Sequence, residues 1–209
     1  MTKTVDFYFD FGSPAAYLAY TQLPKLAADT GATMAWKPML LGGVFQSTGN
    51  HSPITVPAKG KYVFKDFARF AKRYGVPLNM NPHFPINTIT FMRAAVGLQM
   101  RNDARFGEFV EAMFKAIWID SKNMNDPATV GAVWQGAGFD AAAMLALCNE
   151  QPVKDQLKAD TQAAVERGIF GAPSFFVGDE LFWGQDRMHF VEAALLGKTL
   201  GPSLLQSGA

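Results

Sequence analysis

Cysteine is nearly absent: Cys148 is the only one in 209 residues. No internal disulfide can form, and a cytoplasmic location fits. Histidine is scarce too. His51, His83 and His189 are the only three, and none stands in a triad-like context. A serine nucleophile needs an adjacent base, so that class of hydrolase gets no support. Excess charge is also missing. Nineteen Lys and Arg face eighteen Asp and Glu, a net +1, which implies no broad attraction to nucleic acid or an anionic membrane. No run approaches the roughly 18 apolar residues of a transmembrane helix. The opening Met1-Thr2-Lys3-Thr4-Val5-Asp6 lacks the apolar centre of a secretory signal. No internal repeat, low-complexity tract or separating linker is visible, and no metal site is expected.

What is there is an ordinary globular balance, 49% apolar and 18% charged. Residues 3 to 10 alternate, with Val5, Phe7 and Phe9 on one face and Asp6, Tyr8 and Asp10 on the other. That pattern predicts a strand. Residues 14 to 29 carry Tyr17, Leu18, Leu23, Leu26 and Ala27 at helical spacing, with Gly31 as a stop. Met34, Trp36 and Met39 suggest a second strand interrupted by Pro38. Residues 40 to 60, rich in glycine and proline, read as a long loop. A helix follows from about Ala58 to Tyr74, and residues 88 to 149 look almost wholly helical. One more helix spans 152 to 167. Ser174 to Val177 and Glu180 to Trp183 flank Gly178-Asp179 as a hairpin, and 187 to 196 close as a helix. The strands lie at the two chain ends, so the ends must meet in one sheet with the helical block between them.

The first strand turns into its helix through Phe11-Gly12-Ser13-Pro14. Serine is a favoured N-cap and proline a favoured first helical residue. The same place has a second use. A helix N-terminus carries unpaired N–H donors and partial positive charge, and so stabilises an anion. A serine hydroxyl adds one donor.

Five blocks, "DFYFDFGSPAAYLA", "LLGGVFQSTGN", "NPHFPINTITFMRA", "VERGIFGAPSFFVG" and "FWGQDRMHFVEAALL", occur in register over roughly residues 3 to 197. They resemble the corresponding blocks of 2-hydroxychromene-2-carboxylate isomerases and kappa-class glutathione transferases. The resemblance implies an α/β protein with a thioredoxin-like fold and a large all-helical insertion, as in DsbA-like proteins. Residues 1–57 and 150–209 would form the discontinuous thioredoxin-like domain, and 58–149 the inserted helical domain. It implies glutathione as cofactor, a small aromatic-derived substrate and a homodimer. Redox relatives open the first helix with Cys-x-x-Cys. Ser13 stands at that position here, so no dithiol cycle can run.

Residue by residue, the resemblance implies that Ser13 donates to the glutathione thiolate. Ala172, before a cis Pro173, pairs with the peptide by backbone bonds. Trp183-Gly184-Gln185-Asp186 holds the γ-glutamyl end, with Asp186 accepting from its ammonium. Plainer readings stand beside these: strand entry for Pro173, helix capping for Asp186. Asn50 matches a family asparagine near glutathione or substrate and is otherwise a turn residue. Gln46, Lys61, Phe84 and Asn87 are the substrate candidates. Lys59 could steer a carboxylate as well as Lys61, while Asn87 could simply cap a helix. Phe45, Phe84 and Phe91 could wall an aromatic substrate. Trp36, Trp118 and Trp134 read as core. The lysine that naphthalene-pathway isomerases carry in the loop equivalent to "VFQSTGN" is missing from residues 44 to 50.

The implied activity is glutathione-dependent cis–trans isomerisation by reversible thiolate addition, in the breakdown of aromatic compounds. Two other readings are a kappa-like transferase or peroxidase, and a non-catalytic thioredoxin-fold module holding peptides beside Pro173.

Overall fold

A computed structural model describes residues 3–198. Residues 1–2 and 199–209 of the expected thioredoxin-like segments lie outside the described residues. Strand β1 (Thr4–Phe9) leads into helix α1 (Pro14–Thr30) and back to β2 (Thr33–Pro38). β1 and β2 pair in parallel. Near the other end, β3 (Ser174–Val177) pairs antiparallel with β1, placing Ser174 opposite Tyr8 and Phe175 opposite Phe7. β4 (Glu180–Trp183) completes the hairpin on β3. The order β2-β1-β3-β4 therefore joins both chain ends in one sheet.

Between β2 and β3 run α2 (Leu41–Thr48), α3 (Pro57–Tyr74), α4 (Ile89–Met100), α5 (Phe106–Trp118), α6 (Pro127–Gly136), α7 (Ala141–Asn149) and α8 (Gln151–Glu166). After the hairpin, a single 3-10 turn at Gln185–Arg187 leads into α9 (Met188–Leu195). The fold is the DsbA-like thioredoxin fold with helices inserted. Among the described residues, no single helix is long and apolar enough to cross a membrane.

The alternation in β1 has its expected result. Val5, Phe7 and Phe9 are wholly buried. Phe7 stacks between Phe9 and Phe175, with centroids 5.2 and 5.3 Å away. Phe11 continues the column onto Phe114 of α5 at 5.0 Å. Trp118, buried at the end of α5, donates its Nε1–H to the Phe11 carbonyl at 2.8 Å. The inserted helices thus hold the chain at the point where β1 turns toward α1. Trp118 and Trp134 are buried and Trp36 is half-buried against the same core.

Part of the expected long loop is helical. Leu41–Thr48 forms α2 despite Gly42 and Gly43. Its cap residue Leu40 offers no side-chain bond, and the Leu41 N–H is instead met by Asp10. A Cβ on Gly43 would meet Thr161 of α8 at 3.1 Å. Glycine there lets α2 lie close against α8, so tertiary contact outweighs poor local propensity.

Candidate active site

The β1–α1 turn is held from within. Ser13 N–H donates to the Asp10 carbonyl at 3.0 Å. The Asp10 carboxylate accepts the Gly12 N–H with one oxygen and the Leu41 N–H with the other, each at 2.8 Å. Burial pushes the Asp10 carboxyl above its usual range, while the Gly12 and Leu41 N–H groups and the Thr88 side chain pull it back.

Ser13 has extended backbone angles and its Oγ accepts the Ala16 N–H at 3.1 Å, so it caps α1. It also does something local sequence does not suggest. Its O–H donates to the Ala172 carbonyl at 3.0 Å, across 159 residues of chain. Ser13 is only 5% exposed. The Ala172–Pro173 bond is cis, as the resemblance implied. The Ala172 N–H donates to no acceptor among the described residues.

The third segment is tied to the second. Gly184 N–H donates to the Pro173 carbonyl at 3.0 Å. Gly184 takes φ +102°, and a Cβ there would come within 2.6 Å of the Asp186 carboxylate. That positive φ is what favours glycine here, since the Asp186 side chain could swing aside. Gln185 is buried. The Tyr74 hydroxyl, from the end of α3, lies 2.8 Å from its Oε1 and 3.0 Å from its carbonyl oxygen. Asp186 forms an ion pair with Arg187 and does not cap α9, since no side chain does. The helix-cap reading of Asp186 is therefore corrected.

These segments border one cavity of about 570 Å³. Ser13, Asn50, Ala172, Trp183, Gly184, Gln185 and Asp186 all line it, as do Phe45, Phe84 and Lys59. Asn50 is anchored: its Nδ2 donates to the Phe170 carbonyl at 2.8 Å, and its Oδ1 accepts the His51 N–H at 2.8 Å. Pro173 sits behind the lining. The exposed Trp183 ring packs on Phe170, centroids 5.0 Å apart.

Other candidates fall elsewhere. Gln46 and Lys61 are exposed and do not line the cavity. Asn87 does not line it either. Its Oδ1 accepts the Ile89 N–H at 3.2 Å, at the start of α4. Phe91 is buried in the core. Among the lining residues not singled out for the site are Asp10, His51 and Thr88. A signal for two of them was present, since Asp10 stands three residues before Ser13 and His51 directly follows Asn50.

The cavity lining combines apolar side chains, Phe45, Phe64, Phe67, Phe84 and Ile86, with polar groups of Ser13, Ala172 and Asp186. Lys59 at its edge pairs with no carboxylate among the described residues. Cys148 is remote from it. That thiol is buried on α7, donates to the Thr90 carbonyl and is pushed up to about 12 by burial.

The model of the DSBA-like thioredoxin domain matches residues 4–196. The 2-hydroxychromene-2-carboxylate isomerase of Sphingobium xenophagum is 35% identical over 201 residues, covering 94% of this chain and 100% of that protein. Kappa 1 glutathione S-transferase of Rattus norvegicus is 24% identical, covering 96% and 94%. A solved structure of a 2-hydroxychromene-2-carboxylate isomerase superposes with a TM-score of 0.79 at 32% identity, covering 93% and 95%. The sheet joining both chain ends, the Ser13 turn and these likenesses together make the chain a member of the DSBA-like thioredoxin family, within the group of 2-hydroxychromene-2-carboxylate isomerases and kappa-class glutathione transferases.

Proposed function

We propose that this chain is a glutathione-dependent cis–trans isomerase of ring-opened or chromene carboxylates derived from aromatic compounds. The observation that carries the reading is the meeting of three chain-distant segments, Ser13, Ala172 and Gln185-Asp186, around one cavity with an apolar wall. Identity favours the isomerases over the transferases, 35% against 24%.

The lining fits glutathione. The unpartnered Ala172 N–H is a donor for a peptide carbonyl. The half-exposed Asp186 carboxylate, lying over Gly184, is an acceptor for an ammonium. Ser13 and the start of α1 supply donors for an anionic sulfur. When bound, glutathione would supply a thiolate for reversible conjugate addition, the chemistry that frees a double bond to rotate.

The chain's own residues set the conditions. An ordinary thiol is only a few per cent ionised at neutral pH. Lowering its pKa by about two units takes about 2.7 kcal/mol of preference for the thiolate. A helix N-terminus contributes about 0.3–1 kcal/mol, and a hydrogen bond to a charged group about 1.5–3 kcal/mol. Ser13 and α1 together are of the right size. The phenylalanine wall holds a ring and excludes water, and Lys59 holds a carboxylate. The assembly implied by the family resemblance is a homodimer.

The test is calorimetry with reduced glutathione, followed by turnover of a panel of chromene carboxylates with and without it. Saturable binding and glutathione-dependent isomerisation are expected. A folded protein that ignores millimolar glutathione ends the proposal.

A further inference from the structure

Ser13 has one O–H, and the Ala172 carbonyl holds it at 3.0 Å. A hydroxyl has a single hydrogen to donate. While that bond stands, Ser13 cannot donate to a sulfur. The Ala172 carbonyl accepts from no other group among the described residues. The bond is partly buried: Ser13 is almost fully enclosed, while Ala172 is half-buried at the cavity wall. Moving the hydroxyl away takes from that carbonyl its partner within the protein, which is unfavourable once a bound ligand has displaced water from the cavity. The neighbouring N–H of Ala172 has no partner among the described residues. The Ala172 backbone is thus an open edge whose acceptor is stopped by the serine.

We infer that the Ala172 carbonyl latches the Ser13 hydroxyl until a ligand offers its own N–H to that carbonyl, so that the site activates only thiols carried beside a peptide N–H. The inference rests on the glutathione reading above and adds a selection rule to it. The hydrogen bonds balance. Before binding, Ser13 O–H donates to Ala172. Afterwards the ligand's N–H donates to Ala172, and Ser13 O–H turns to the sulfur, where a charged acceptor makes the stronger bond. A simple thiol with no amide beside it forces a choice. Either the carbonyl goes unpaired or the sulfur gets no donor from Ser13.

The experiment compares wild type with Ser13→Ala. The bound thiolate is followed by its ultraviolet absorbance against pH, using glutathione and glutathione methylated at the cysteinyl amide nitrogen. With glutathione, the thiol pKa should fall by about two units in wild type and by clearly less in Ser13→Ala. With the methylated peptide, both proteins should give the same pKa. Equal, Ser13-dependent lowering with the methylated peptide overturns the latch. A crystal structure of the glutathione complex settles the case in which the methylated peptide fails to bind. Ser13 Oγ on the sulfur and off Ala172 supports the latch, and Ser13 still bonded to Ala172 overturns it. Failure of glutathione itself to bind overturns the functional reading and the latch with it, so the two failures are distinct.

Discussion

The Asp10 carboxylate accepts the Leu41 N–H at 2.8 Å, although Leu41 lies 31 residues further along the chain. The first N–H of α2 is thereby met by the residue that also fixes the Ser13 turn. One buried side chain sets the spacing between two walls of the cavity.

Asp10 should titrate above the ordinary 3.8, burial outweighing its bonds to Gly12, Leu41 and Thr88. A raised folded-state pKa has a definite sign. Its contribution to stability is fully present below the unfolded value and is lost as pH rises through the folded value. Wild type should therefore lose stability relative to Asp10→Asn over that window. Carboxyl NMR titration and denaturant melts between about pH 3.5 and pH 7 check this. A carboxyl at or below the ordinary value sinks it.

Ser13→Ala removes the α1 cap, a loss of about 1 kcal/mol. It should lower kcat far more, on the order of a hundredfold, if Ser13 is a preorganised donor to the sulfur. Turnover within twofold of wild type would leave Ser13 as a helix cap only. Ser13→Cys, a weaker donor, should recover part of the rate and risks a mixed disulfide with glutathione.

Asp186→Ala should weaken glutathione binding about tenfold, the low end for a charge-assisted bond because the carboxylate is half-exposed and shared with Arg187. Stability should change little, since Asp186 caps no helix. Calorimetry on the folded variant decides. Unchanged affinity would remove Asp186 from the site.

Lys59→Gln should raise KM for a carboxylate substrate about tenfold and leave kcat near wild type, the mark of lost uniform binding. Lys61→Gln, two residues on, should match wild type in both constants. Equal effects from the two variants would mean general electrostatic attraction and no specific pairing.

Cys148 should resist iodoacetamide in the native protein and react once it is unfolded. Its thiol is buried, bonded to the Thr90 carbonyl and held protonated by a pKa of about 12. Mass spectrometry of native and denatured samples reads the difference. Rapid native labelling would mean that α7 opens.

Much of the fold was legible because its signals are local. The alternation of Val5, Phe7 and Phe9 marked β1, Ser13-Pro14 and Gly31 bracketed α1, and Gly178-Asp179 marked the hairpin. Each rests on sterics and hydrogen bonds spanning a few residues. The blocks carrying Ser13, Ala172 and Asp186 were also readable, by resemblance. α2 was not, because its glycines are poor helix formers and its cap comes from Asp10. Choosing among neighbouring side chains was equally out of reach. Residues two apart on a helix point in different directions, so Lys59 lines the cavity and Lys61 faces solvent. Which direction faces the cavity depends on how α3 is docked, and Tyr74 fixes the end of α3 through Gln185, 111 residues away. The bond from Ser13 to Ala172 belongs to the same class. Such pairs have no local energy to write a pattern into the sequence; they exist only once the chain ends have met in one sheet.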